Sequence, residues 1–191
     1  MRTLYYSPNS RSDTVVTLVR MVAADIEMRE VTIARQDGSG GRDPANPHPE
    51  GKVPYLTDGD DAVRERGAIM LYLTDAYPEA GLGPLPSDTG RGAYLSWLFY
   101  YQGVMEPLLI LQWANVSHPA LTASLRDVDT MLERLAEPLR RGPWLLGDRF
   151  SAADLLCSSP FLWFADMMPA DPAIRDWVAR CAERLNACAG S

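Results

Sequence analysis

The reactive side chains of this 191-residue sequence are few, and they narrow its chemistry quickly. Three thiols are present, Cys157, Cys181 and Cys188, all from position 157 onward. An odd number of cysteines with no Cys-x-x-Cys spacing argues against a disulfide framework, a zinc site or a dithiol redox pair, so no metal is expected. Cys157 lies in an apolar run, where a buried, reduced thiol is the simplest reading. Hydroxyls and cations remain. Ser10, Arg11 and Ser12 follow a β-prone run and stand at the start of an amphipathic helical pattern. A hydroxyl at that place either caps free backbone N–H groups or donates to an anion held at the positive end of the helix. Lys52 is the only lysine in a chain whose other side-chain cations are arginines and two histidines.

Composition excludes whole classes of function. A formal charge of −7 argues against nucleic acid as a partner, because phosphate binding needs clustered cations. It leaves open a small anionic ligand, which feels only the local field of its site. No stretch approaches the ~18 consecutive apolar residues that a membrane span requires. The first residues carry no long apolar run behind Arg2, unlike a secretory signal. A cytoplasmic protein with no membrane partner is expected.

The elements that must position those residues fall into two sets. Residues 3–6 form a short β-prone run ending at Ser7-Pro8-Asn9, and Val15, Val16, Leu18, Val19 and Val22 then supply an apolar helical stripe. Residues 28–33 alternate as a second strand, and residues 34–50 are rich in Gly, Asp and Pro, as a loop is. Residues 55–57 and 62–64 predict a hairpin, and residues 67–77 a helix. The order βαβ, loop, ββα describes a compact mixed sheet with packed helices. Residues 78–87 hold too many Gly and Pro for an element and read as a linker between a domain at 1–77 and another at 88–191. The second domain is helical throughout, over 88–114 (bent near Gly103 and Pro107), 119–141, 152–168 and 172–185. Ser151-Ala152-Ala153-Asp154 has the S-x-x-D form of a capping box, with Phe150 and Leu155 placed as a hydrophobic staple.

Three segments together resemble the soluble, bacterial-type glutathione S-transferases. They are Leu4-Tyr5-Tyr6-Ser7-Pro8-Asn9-Ser10-Arg11-Ser12, then Asn46-Pro47-His48-Pro49-Glu50-Gly51-Lys52-Val53-Pro54-Tyr55-Leu56. The third is Trp144-Leu145-Leu146-Gly147-Asp148-Arg149-Phe150-Ser151-Ala152-Ala153-Asp154. The resemblance covers nearly the whole chain and implies an α+β fold, with a thioredoxin-like βαβ-ββα domain followed by an all-α domain. It implies glutathione as co-substrate, a small electrophile as second substrate and a homodimer.

Residue by residue, the resemblance makes Val53-Pro54 a cis-proline step whose outward Val53 backbone receives the cysteinyl part of glutathione. Glu65 and Arg66 occupy the place of a Glu-Ser pair that receives the γ-glutamyl end. Arg66 departs from that pattern: it either pairs with the same carboxylate or projects into solvent. Lys52 matches a residue that approaches the glycyl carboxylate, and His48 reads as a loop residue. Ser10 aligns with a catalytic serine that donates to the glutathione thiolate, with Ser12 second and Ser7, Tyr6 and the charge of Arg11 as further candidates. No cysteine stands at position 11, which argues against mixed-disulfide chemistry. The helical domain supplies the second-substrate pocket, for which Tyr101, Met105 and Trp113 are the expected side chains; Trp97 and Tyr100 share their face. A fold-retaining carrier of apolar ligands and a narrow glutathione-dependent isomerase, reductase or lyase are the alternatives.

Overall fold

The computed structural model describes residues 1–189. The chain folds as two units, Met1–Ala80 and the remainder from Gly81. The first unit is built on a four-stranded sheet of order β2-β1-β3-β4. Strand β1 (Arg2–Tyr6) pairs in parallel with β2 (Glu27–Glu30) and antiparallel with β3 (Tyr55–Asp58), which pairs antiparallel with β4 (Asp61–Val63). A parallel pair needs a crossover, and helix α1 (Asp13–Met21) supplies it. The β3–β4 turn passes through Gly59 at φ 60°, which a glycine adopts without steric cost.

Helix α2 (Arg66–Ala76) completes this unit. Val15 and Leu18 of α1, Leu4 of β1, Leu56 of β3, and Ile69 and Leu73 of α2 are fully covered. Fully burying one such aliphatic side chain contributes about 1.5–3 kcal/mol. Val16, counted in the apolar stripe by spacing, is only half-buried. Strand β2 is shorter than the alternation over 28–33 predicts: one further rung, Val31 N–H to Tyr6 O at 2.8 Å, ends the pairing. Ile33 instead opens a turn, its carbonyl accepting from Gly41 N–H at 3.2 Å.

The second unit contains helices α3 (Arg91–Tyr100), α4 (Glu106–Trp113), α5 (Pro119–Leu125), α6 (Val128–Leu139), α7 (Ala152–Trp163) and α8 (Pro172–Ala189). Its core gathers Tyr94, Met105, Met131, Leu135, Leu156 and Trp177, all fully covered. Three helix readings need correction. The helix expected over 88–114 begins only at Arg91, after Gly90 in the left-handed region, and passes through a π-helical turn, Tyr101–Met105. The helix expected over 119–141 is two: Arg126 at φ 68° ends α5, and the Asp127 carboxylate starts α6 by accepting from Thr130 N–H at 2.7 Å. The helix expected over 152–168 stops at Trp163 and gives way to a 3₁₀ turn at Ala165–Met167. Among the described residues, no helix is long and apolar enough to cross a membrane.

Candidate functional site

Strand register brings the sequence candidates of the first unit to one place. Tyr5 pairs with Tyr55, and Leu56 with Val63, so the C-terminal ends of β1 and β4 and the N-terminal end of β3 share one end of the sheet. Tyr6 pairs in parallel with Glu30, which adds the C-terminal end of β2. The segments leaving that end carry Ser7–Ser12, Val53–Pro54, Glu65–Arg66 and residues 31–35.

In the turn after β1, Ser7, Ser10 and Ser12 are buried and their oxygens form a closed set. Ser10 Oγ lies 2.6 Å from Ser7 O and 2.7 Å from Ser12 Oγ, and Ser12 Oγ lies 3.0 Å from Ser7 O. Two hydroxyl protons therefore serve three short oxygen–oxygen contacts. Backbone N–H groups add donors: Ser7 N–H to Ser12 Oγ at 3.0 Å and Ser12 N–H to Ser10 Oγ at 3.1 Å. Ser10 is thus no helix cap; Ser12 holds the cap position of α1 and makes no side-chain cap bond. Arg11 between them is exposed. The Asp13 carboxylate accepts from Asn9 N–H at 3.0 Å, and burial pushes that carboxyl above its usual range. Asn9 itself sits at φ 55°, which asparagine tolerates better than most residues.

Val53–Pro54 is cis. Among the described residues the Val53 backbone N–H and C=O have no hydrogen-bond partner, which leaves them open to an added extended segment. The approach to this step is tied by side chains that sequence reasoning left as loop. Asn46 accepts from His48 N–H at 3.0 Å and donates to Lys52 O at 3.1 Å. His48 is buried, packs edge-on against Tyr55, and accepts at Nδ1 from Glu50 N–H at 3.0 Å. Burial holds its pKa below the usual histidine value, and an accepting Nδ1 belongs to the neutral ring. Asn before Pro is a turn signal that marked this scaffold in the sequence. Lys52 is exposed and paired with Glu50, a contact that raises its pKa; the charges of Glu65 and Arg11 also act on it.

Glu65 precedes α2 at φ 67°, ψ 127°, a backbone conformation that side chains rarely adopt. Holding a non-glycine residue there costs on the order of 1–3 kcal/mol, and such residues cluster at ligand-binding sites. Arg66 follows at the first position of α2. It is buried, and its guanidinium reaches Thr14 Oγ1 of α1 at 3.5 Å, so the reading that projects it into solvent is wrong.

In the helical unit the expected pocket residues have different surroundings. Met105 is fully covered, Tyr101 nearly so, and Trp113 is 63% exposed. Trp97 is buried edge-on to Tyr100. Cys157 and Cys181 are buried, and burial pushes the Cys181 thiol up to about 12, far from a nucleophile's range. No group of three or more His, Cys, Asp or Glu among the described residues could hold a metal ion.

Sequence reasoning missed Arg35. Its guanidinium donates to Ser7 Oγ at 2.9 Å, Pro8 O at 2.7 Å and Asn9 O at 2.6 Å. These partners are 26 to 28 positions away in the chain, so no local pattern announces them.

A four-stranded mixed sheet carrying a cis-proline turn, followed by a helical unit, is the architecture of a thioredoxin-like domain joined to an all-α domain. Residues 3–81 match the family description "Glutathione S-transferase, N-terminal domain", and residues 99–184 match "Glutathione S-transferase, C-terminal domain". The chain belongs to the glutathione S-transferase family, whose co-substrate is glutathione. It is 25% identical over 206 residues to the disulfide-bond oxidoreductase YfcG of Escherichia coli K12, covering 95% of this chain and 90% of that one. It is 26% identical over 165 residues to the glutathione S-transferase GstA of Escherichia coli O157:H7, covering 84% and 81%. Among solved structures, a sphingomonad glutathione S-transferase complexed with glutathione aligns with TM-score 0.76 at 26% identity, covering 97% of this chain and 96% of that one.

Proposed function

We propose that this protein is a glutathione transferase in which the thiolate of glutathione attacks a small apolar electrophile. The observation that carries the reading is the convergence of a buried hydroxyl pair, an open Val53 backbone and the strained Glu65 helix start at one end of one sheet. The Val53 N–H and C=O receive the cysteinyl backbone of glutathione as an added strand. Glu65 and the first N–H groups of α2 receive its γ-glutamyl end, where the helix N-terminus favours a carboxylate and the Arg66 guanidinium adds positive charge. Lys52 serves the glycyl carboxylate.

The chemical step needs the ionised sulfur. A free thiol has a pKa of about 8.5, and lowering it by two units takes about 2.7 kcal/mol of preferential thiolate stabilisation. Ser10 supplies this by donating its hydroxyl proton to sulfur. Ser12 then donates to Ser7 O, which keeps that carbonyl partnered, and Arg11 adds positive charge nearby. The sulfur lone pair forms a bond to the electrophilic carbon as the leaving group departs with its electron pair; the thiol proton has gone to solvent. Trp113 offers an exposed indole for an apolar substrate. The same reading makes the protein a cytoplasmic homodimer.

Ser10→Ala tests it. Turnover of an activated aryl halide should fall about ten- to hundredfold, the worth of a hydrogen bond to a charged group, while glutathione affinity holds within about threefold. Equal turnover would remove Ser10 from the mechanism and move the role to Ser12, Tyr6 or Arg11.

A second reading is favoured by the similarity to YfcG: glutathione-dependent reduction of disulfides. No cysteine precedes Cys157, so two glutathione molecules would supply both electrons, leaving as oxidised glutathione while the substrate disulfide becomes two thiols. Formation of oxidised glutathione in step with substrate thiol separates this reaction from conjugation.

A further inference from the structure

We propose that Arg35 is a positioning residue: it locks the Ser7–Asn9 turn and thereby fixes the Ser10 hydroxyl for the thiolate. The role rests on the glutathione reading above. Three acceptors on three consecutive residues meet one guanidinium, at 2.9 Å from Ser7 Oγ, 2.7 Å from Pro8 O and 2.6 Å from Asn9 O. A planar fork reaches that set from two nitrogens with donors fixed in direction, whereas an ammonium has only one nitrogen with rotatable donors. The Asp13 carboxylate in addition holds Asn9 N–H, and the Arg35 charge acts on that carboxyl. A cation and an anion thus both bind the turn, with Ser10 the next residue after it.

The segment that carries Arg35 is itself built. Arg35 N–H donates to Ser39 O at 2.8 Å, its carbonyl accepts from Gly38 N–H at 3.1 Å, and Gly41 N–H donates to Ile33 O at 3.2 Å. Asp37 Oδ1 accepts from the N–H and hydroxyl of Ser39. Gly40 stands at φ +72°, and a Cβ there would lie 2.1 Å from Ile33 O. Any larger residue would open the turn and withdraw the guanidinium. These bonds make a closed loop with one outward product, a fixed Arg35.

The consequence is specific. Two protons serve three oxygen contacts among Ser7, Ser10 and Ser12, so Ser10 can turn its O–H from Ser7 O toward sulfur, as a hydrogen-bond donor, while Ser7 O stays where Ser12 can reach it. Arg35 holds Ser7 by its Oγ and the next two residues by their carbonyls.

The test combines backbone hydrogen exchange of residues 7–12, read by mass spectrometry on the free protein, with ultraviolet titration of the thiolate band of bound glutathione. In Arg35→Ala, exchange over 7–12 should rise about tenfold or more while β1 and β3 keep their protection. The thiolate pKa should rise by about one unit, so kcat falls about threefold at neutral pH and approaches a tenfold loss below about pH 6, while KM for glutathione stays nearly unchanged. Arg35→Lys restores the charge without the fork and should stay close to Arg35→Ala. Ser7→Ala, which removes one of the three acceptors, should give the same changes at smaller size. Unchanged exchange and thiolate pKa in Arg35→Ala, or full recovery in Arg35→Lys, would overturn the proposal. Absence of a thiolate band in the unsubstituted protein would overturn the glutathione reading and Arg35's part in it, a result distinct from a band that is present but indifferent to Arg35.

Discussion

Two hydrogen-bond clusters that include serine, one in each unit, are built to opposite ends. At the start of α7 the Asp154 carboxylate, fully covered, takes four donors: Leu145 N–H and Trp177 Nε1–H on one oxygen, Ser151 N–H and Ser151 Oγ–H on the other, each at 2.9 Å. Every acceptor is saturated. In the turn before α1, the oxygens of Ser7, Ser10 and Ser12 make three contacts on two protons. A saturated cluster has nothing left to offer a ligand and serves to hold the chain. A proton-poor cluster beside an open backbone segment can rearrange at little cost when an anion arrives. Under the proposed function, the contrast separates structural from chemical serine.

Breaking the first cluster should have the largest effect on stability. Asp154→Ala leaves four donors buried without partners, and the midpoint of urea unfolding should fall by the equivalent of about 3–5 kcal/mol. Burial pushes this carboxyl upward against those donors, so the cluster's worth lies in satisfying groups that folding has already buried.

Breaking the second should cost less stability and more activity. Ser12→Ala removes one of the two shared protons and the acceptor of Ser7 N–H. A loss of about 1–2 kcal/mol is expected, together with a fall in turnover of about tenfold or more. If Ser12→Ala unfolds the protein as readily as Asp154→Ala, the distinction between the two clusters fails.

A third group of the first unit sharpens the comparison at the smallest scale. Asp58 accepts from Tyr72 hydroxyl at 2.8 Å and pairs with Arg2 at 2.8 Å, and these contacts, Tyr72 first, hold its carboxyl below the usual range. A depressed folded pKa means that the contribution is complete above the ordinary aspartate value of about 3.9 and is lost as pH falls through the lowered one. Asp58→Asn should therefore lower stability slightly at neutral pH, where the contribution is complete, change little below the lowered pKa, and so flatten the acid limb of the stability profile below about pH 4. An unchanged acid limb would show that this half-buried network contributes nothing measurable, as many surface pairs do not.

What was legible in the sequence follows the range of the interactions. The Ser151–Asp154 box spans three residues and reads directly as a helix start. Strand β1, the stripe of α1 and the hairpin through Gly59 are equally local patterns, and all appear near their expected positions. The break between α5 and α6 was also written locally, in Asp127 as a cap, but helical periodicity on both sides masked it. The π-turn at Tyr101–Met105 falls at the bend expected near Gly103, but its kind was not legible, since inserting one residue into an apolar helix only shifts its phase. At the candidate site, Val53–Pro54 and Glu65 were legible through their motif. The burial of Arg66, the backbone of Glu65 and the reach of Arg35 were not, because each depends on partners or packing set by the tertiary fold.

The most direct measurement is a calorimetric titration of the intact protein with reduced glutathione. Saturable binding is expected, with Kd between about ten micromolar and a few millimolar. Absence of binding heat with glutathione at several times that upper limit would contradict the glutathione reading, and the cluster at the end of the sheet would then need another ligand.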